Sequence, residues 1–277
     1  MIDVPVLPAT RYVQPLREGG SLPAVVDTDD GLYVAKFRGA GQGAKALVAE
    51  LIAGLLARAL DLPIPDVALI GVAPLFGKTE PDPEIQDILK ASRGMNVGLR
   101  YLDGAFNFDA LAAGELVDPE LAARIVWFDA LLTNPDRTAR NPNLLVWQRK
   151  PWLIDHGAVL YAHHDWSKVD EARARTPFPL SREHVLLSCA GDLEEADAAL
   201  APRVGESLVE EVTDAIPDEL LADAPGSGDR EAPDALRERY RTYLSQRLRS
   251  PRHFLGEAIR ARDERAKQPP QRLSARR

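Results

Sequence analysis

Cysteine is nearly absent from these 277 residues, and Cys189 stands alone. No intrachain disulfide can form, so a reducing compartment, the cytoplasm, is the expected location. With that single thiol and five scattered histidines, a structural zinc site has too few ligands. Long apolar runs are also missing. The most apolar stretch, residues 46–62, is interrupted by Glu50, Arg58 and Asp61. It reads as a buried or amphipathic helix and not as a membrane span. The first ten residues carry an acid at position 3 and lack the basic-then-apolar pattern of a secretory signal. No internal repeat is visible.

What is present is ordinary globular material, 45% hydrophobic and 27% charged. The length suits one large domain or two lobes around a cleft. The net charge is −8, yet residues 235–277 hold 13 Lys and Arg against 4 Asp and Glu. Such a basic end can meet nucleic acid, an anionic membrane or an acidic partner. The plainer expectation is a solvated helix face followed by a frayed tail over 267–277, with neither nucleic acid nor membrane as a partner.

Residues 12–37 read as β structure, with Ala24–Val26 and Leu32–Phe37 as runs flanking the hairpin signal Asp29-Asp30-Gly31. Residues 44–60 form a helix with a wide apolar stripe, ended by Pro63 and Pro65. Strands are expected at 67–73 and 95–102, with a short helix or loop over 81–93. Asp118-Pro119-Glu120 is a helix start. Further helices are expected near 181–190, 193–200, 205–214, 233–248 and 251–266, with a surface loop at 224–229. The fold class is therefore α+β and bilobal. A β-rich lobe with one long helix (1–103) precedes a mainly helical lobe (104–266).

The chemistry concentrates in residues 134–157. Asp136 and Asn141 are five apart in a loop between a helix and a strand. Phosphoryl transfer needs a carboxylate to orient the attacking hydroxyl and an amide oxygen on Mg²⁺, both held by one rigid loop. Asp155 then follows an apolar strand and precedes His156-Gly157, where kinases place a metal-binding Asp. A hairpin turning through 148–151 would set Trp147 opposite Trp152 and Leu144 opposite Asp155. Opposed Cβ atoms lie about 4.5–5.5 Å apart. That register makes Asn143 a rival to Asn141 as the second metal ligand. The bland alternative is that Asp136, Asn141 and Asn143 are turn formers.

Lys36 ends a strand, and Glu50 lies on the next helix with no basic neighbour three or four residues away. A Lys36–Glu50 pair would give both charges a role. Gly19-Gly20-Ser21 could let backbone N–H groups approach phosphates, though such runs also occur in plain turns. The glycine-rich stretch 39–43 is either an anion site or a flexible connection. His163, His164 and Trp166 read as structural or exposed rather than catalytic.

Lys36 in YVAKF, the helix AELIAGLLARALDLPIP, the loop NPDRTARNPNLL and the strand end LIDHG together resemble the HipA-like kinases, over roughly residues 12–200. The resemblance implies an atypical kinase fold related to phosphatidylinositol kinases. It implies ATP and Mg²⁺ as cofactors and a Ser/Thr hydroxyl, of a protein, as phosphoacceptor. Lys36 would bind ATP phosphates, Asp136 would be the catalytic base, and Asn141 and Asp155 would hold the metal. Residues 95–101, with Leu99 and Tyr101, would supply the hinge and adenine contacts. Only 35 residues precede Lys36, so the subdomain with which long toxins of this type meet an antitoxin is not expected. Ser21 is a conceivable autophosphorylation site. The metal motif is Asp-His-Gly where Asp-Phe-Gly is usual.

Three other readings are open. A small-molecule phosphotransferase would normally show an H-x-D loop, whereas Asn134 stands two residues before Asp136. An inactive nucleotide-binding regulator would not need Lys36, Asp136, Asn141 and Asp155 together. A pyridoxal-phosphate Schiff base at Lys36 lacks the surrounding phosphate and pyridine partners.

Overall fold

The computed structural model describes residues 2–16, 22–41, 43–78, 80–222 and 232–267. The expected α+β organisation is present. Its first part contains β1 (Val6–Pro8), β2 (Arg11–Pro15), β3 (Ala24–Thr28), β4 (Gly31–Lys36), α1 (Gly43–Ala59), β5 (Val67–Val72), α2 (Pro83–Ala91) and β6 (Gly94–Arg100). These strands make one six-stranded sheet in the order β1-β5-β6-β4-β3-β2. The Asp29-Asp30 hairpin joins β3 and β4, with Thr28 paired to Gly31.

Strand alternation sorts this sheet between two cores. Val67 and Leu69 of β5 face the core around α1, while Ala68, Ile70 and Val72 face the smaller core that includes Ile85 and Leu89 of α2. On β4, Ala35 faces the second core, so its neighbour Lys36 emerges on the α1 side. Helix α1 is more enclosed than a wide apolar stripe implies. Fourteen of its 17 residues are buried, so no face is left for solvent. Each fully buried leucine in it contributes about 1.5–3 kcal/mol. Gly54 sets the approach of α1 to β5, because a Cβ there would lie 2.7 Å from a Val67 methyl.

The second part begins with β7 (Phe106–Asn107), α3 (Ala113–Leu116) and α4 (Pro119–Leu132), then the hairpin β8 (Leu144–Trp147) and β9 (Lys150–Leu153). After it come α5 (Glu171–Ala174), α6 (Leu193–Leu200), α7 (Glu206–Asp214), α8 (Asp218–Ala222), α9 (Pro233–Leu248) and α10 (His253–Ala266). Asp118 caps α4 by accepting from the Glu120 and Leu121 amides. Helices α7 and α8 pack on α1, so one continuous core runs from the sheet into the helical part. Glu219 of α8 also reaches the sheet, accepting from Arg38 at 2.6 Å and from the Met95 amide.

Two expectations are corrected here. The β8–β9 hairpin is tighter than expected, pairing Leu144 with Leu153 and Trp147 with Lys150. Its turn is only Gln148-Arg149, at φ +50° and +63°, the two left-handed residues of a tight hairpin turn. The displacement is two residues, so every side chain keeps its face, but Asp155 no longer opposes Leu144. The expected helix at 181–190 is a 3₁₀ turn, Pro179–Glu183, followed by irregular chain. There His184 bridges to Thr138 of the loop after α4, and the Val185 amide donates to the Arg137 carbonyl. Those backbone groups serve the loop and not a helix. Among the described residues, no helix is long and apolar enough to cross a membrane.

Candidate active site

Helix α4 ends on Thr133 in the left-handed conformation, which turns the chain into the loop carrying Asp136. Asn134 builds the next bend. Its side-chain oxygen accepts the Asp136 amide at 3.0 Å, and its amide donates to Asp129 at 2.8 Å. Asp136 then faces its loop partners, accepting from the Asn141 amide at 2.9 Å and the Asn143 amide at 3.1 Å. The two asparagines differ in setting. Asn143 is buried, sits at φ +47°, and its amide also approaches the Asp155 carbonyl at 3.4 Å. Asn141 is exposed, with its side chain directed to Asp136.

Lys36 reaches this loop from the sheet. Its Nζ lies 2.5 Å from Glu50 Oε2 and 2.5 Å from Asp155 Oδ1. The expected Lys36–Glu50 pair is therefore formed, and it extends to the metal-motif aspartate. Burial alone would lower the Lys36 pKa, but the two carboxylates outweigh it and raise the value above that of a free lysine. Burial would likewise raise Glu50, yet Lys36 and then His156 hold it down at about 2. Both side chains are thus charged at neutral pH. Glu50 is 1% exposed, whereas the Asp155 carboxylate is 39% exposed and opens toward the cleft.

That cleft has a volume of about 700 Å³. Lys36, Glu50, Asp136, Asn141, Asn143 and Asp155 line it together. Leu99 and Tyr101 line it too, as do Val34, Val97 and Leu102. One expected group is not placed, because Gly19, Gly20 and Ser21 lie outside the described residues, as do 268–277 of the basic tail and the loop at 224–229.

Three important residues were not singled out from the sequence. Arg137, 1% exposed, donates from Nε to Asp129 Oδ2 at 2.5 Å, from Nη1 to the Asn143 carbonyl, and from Nη2 to His156 Nε2 at 2.9 Å. Asp129, also 1% exposed, accepts in addition from His184 Nε2 at 2.9 Å. The Leu186 amide occupies His184 Nδ1, which leaves Nε2 as that ring's donor. Burial pushes the Asp129 carboxyl up, but Arg137 and His184 hold it well below the usual carboxylate range. The available signal was an acid inside an otherwise apolar helix, the same signal that marked Glu50 in α1.

Mg²⁺ is held through one or two carboxylates, with water and substrate phosphates completing its shell. The donor set here suits that pattern. Asp155 offers an accessible carboxylate. The amide nitrogens of Asn141 and Asn143 are committed to Asp136, which leaves their oxygens for other partners. Among the described residues, no group of three or more His, Cys, Asp or Glu is gathered for a metal. Protein ligands alone therefore make only part of a shell.

The profile of a family described as HipA-like kinase matches residues 11–173. No curated protein matches the chain. Among solved structures, the Helicobacter pylori proinflammatory kinase CtkA is similar at a TM-score of 0.57 and 15% identity, covering 96% of this chain and 100% of that one. At that identity the likeness speaks for the fold, which is that of a kinase.

Proposed function

Because this chain belongs to the HipA-like kinase family, we propose that it transfers the γ-phosphoryl group of ATP to a Ser or Thr hydroxyl of a protein. The observation that carries this reading is the meeting of Lys36, Glu50, Asp136, Asn141 and Asp155 in one cleft. A cleft of about 700 Å³ lies within the usual range for small-molecule sites, about 300–1,000 Å³.

Lys36, fixed by Glu50, binds the ATP phosphates. Leu99, Tyr101 and Val97 supply the apolar wall for the base. Asp155 and Asn141 are the residues that would hold Mg²⁺. Asn141 is favoured over Asn143 because it is exposed, while Asn143 is buried and already spans Asp136 and the Asp155 carbonyl. When bound, the ion would neutralise phosphate charge and align the β and γ groups. Asp136, oriented by two amides, accepts the hydroxyl proton. The acceptor oxygen bonds to the γ-phosphorus as its bond to the β-phosphate oxygen breaks, and ADP leaves. Use of ATP and a single reduced thiol both fit a cytoplasmic location.

Two exposed aromatics support a protein acceptor. Phe106, 61% exposed, adjoins cleft-lining Asn107, and Tyr161, 67% exposed, follows Asp155 by six residues. The test is incubation with Mg²⁺ and γ-labelled ATP, with and without cell lysate, beside Asp136→Ala and Asp155→Ala. Label on a lysate protein, lost in both variants, supports the reading. Label in the small-molecule fraction replaces the acceptor class. Neither binding nor transfer by the wild type removes the proposal.

A further inference from the structure

His156, the unusual middle residue of the Asp-His-Gly motif, joins the two halves of the site. Its Nε2 lies 2.9 Å from an Arg137 nitrogen. An arginine only donates, so Nε2 must accept, and the ring proton sits on Nδ1. Nδ1 faces Glu50 Oε1 at 3.5 Å, and its backbone amide donates to Glu50 Oε2 at 2.8 Å. The ring is fully buried and packs edge-on against Phe128. Glu50 comes from α1 and Arg137 from the loop after α4, so His156 joins the two, holding Glu50 through its backbone amide and Arg137 through its ring.

What this tie holds is Asp155. That residue sits at φ +55°, a conformation L-residues rarely adopt. Such a residue persists only when its neighbours over-determine it. On one side, the Ile154 amide donates to the Asn143 carbonyl at 3.1 Å, and the Ile154 carbonyl lies 3.4 Å from Arg137. On the other, His156 is pinned through both amide and ring. We infer that His156 is a positioning residue: by linking Glu50 to Arg137 it holds Asp155 in the strained conformation that presents its carboxylate to Lys36 and the cleft. This rests on the phosphotransfer reading for its kinetic consequence, and on geometry alone for its structural one. A phenylalanine would fill the space and keep the backbone amide to Glu50, but leave an Arg137 donor without its acceptor.

The experiment compares wild type with His156→Phe and His156→Gln. The glutamine oxygen can still accept from Arg137. In metal-free protein, amide exchange over residues 153–158 should quicken about tenfold or more in His156→Phe, the scale of losing one hydrogen bond to a charged group, and much less in His156→Gln. In turnover, His156→Phe should lower kcat about tenfold and raise the Mg²⁺ needed for half-maximal rate, with KM for ATP nearly unchanged. His156→Gln should recover most of both. Unchanged exchange in His156→Phe, or equal loss in the two variants, overturns the proposal. A wild type that transfers no phosphate refutes the phosphotransfer reading, while the exchange comparison still decides the role of His156.

Discussion

Replacing Arg137 with methionine removes one half of a buried ion pair and leaves the other in place. Asp129 is 1% exposed, and in the native state its charge is met by Arg137, His184 and Asn134. Removing one partner of such a pair costs about 3–5 kcal/mol. His184 and Asn134 remain, so the loss should lie near the lower end, about 3 kcal/mol. That is a large share of the roughly 5–15 kcal/mol that holds an average domain folded. Adding Asp129→Leu should recover part of the loss, because the stranded charge is gone. Urea unfolding of both singles and the double at pH 7 measures this cycle. The pH dependence gives a second signature. In wild type the Asp129 pKa is depressed on folding. Its contribution is therefore complete above the unfolded carboxyl value and is lost as pH falls below it. Without Arg137 one main cause of the depression is gone while His184 remains, so the folded value rises toward the unfolded one. The loss of stability on acidification therefore becomes shallower than in wild type. An Arg137→Met loss under 1 kcal/mol, or strict additivity in the double, refutes the reasoning.

Asn141→Ala should raise the Mg²⁺ requirement with little loss of stability, whereas Asn143→Ala should lower the melting temperature. Titrating Mg²⁺ against rate in both variants distinguishes the ligand from the structural residue. His163 is fully buried beside Tyr240, and burial, His164 and Lys45 hold its pKa down to about 3. Its folded value lies below its unfolded one, so the stability it contributes is present above about pH 6.5 and is lost as pH falls. Between pH 6.5 and 5 this amounts to about 2 kcal/mol, seen as a falling urea midpoint, and most of that slope should vanish in His163→Leu. Gly54→Ala should destabilise by about 1–3 kcal/mol through overpacking against Val67, measurable by thermal unfolding.

The parts of the fold legible in the sequence were those where local pattern and burial agree. Helix α1, the β3–β4 hairpin and the Asp118 cap each follow from periodicity, turn residues or capping chemistry. Lys36 and Glu50 were legible because an unpartnered charge in an apolar setting demands a distant counter-charge. The hairpin register was not, since Gln148-Arg149 lacks the Asn-Gly or Asp-Gly chemistry that announces a two-residue turn. Residues 181–190 have helical composition, but the loop carrying Asp136 claims their backbone groups. The Asp129–Arg137–His156 bridge joins residues from three separate segments, and only folding brings them together. The role of His156 was the least visible, because the metal chemistry requires only the neighbouring carboxylate.

In the proposed function, one cleft binds ATP through Lys36 and divides the remaining work between Asp136 and Asp155. Equilibrium binding of ATP, with Mg²⁺ and with a chelator, to wild type, Asp136→Asn and Asp155→Asn tests it most directly. The account predicts that Asp136→Asn binds ATP with Mg²⁺ as tightly as wild type while transferring no phosphate. It predicts that Asp155→Asn binds ATP in chelator normally but loses the strengthening that Mg²⁺ brings. Failure of wild type to bind ATP, or Mg²⁺ strengthening that survives in Asp155→Asn, would contradict it.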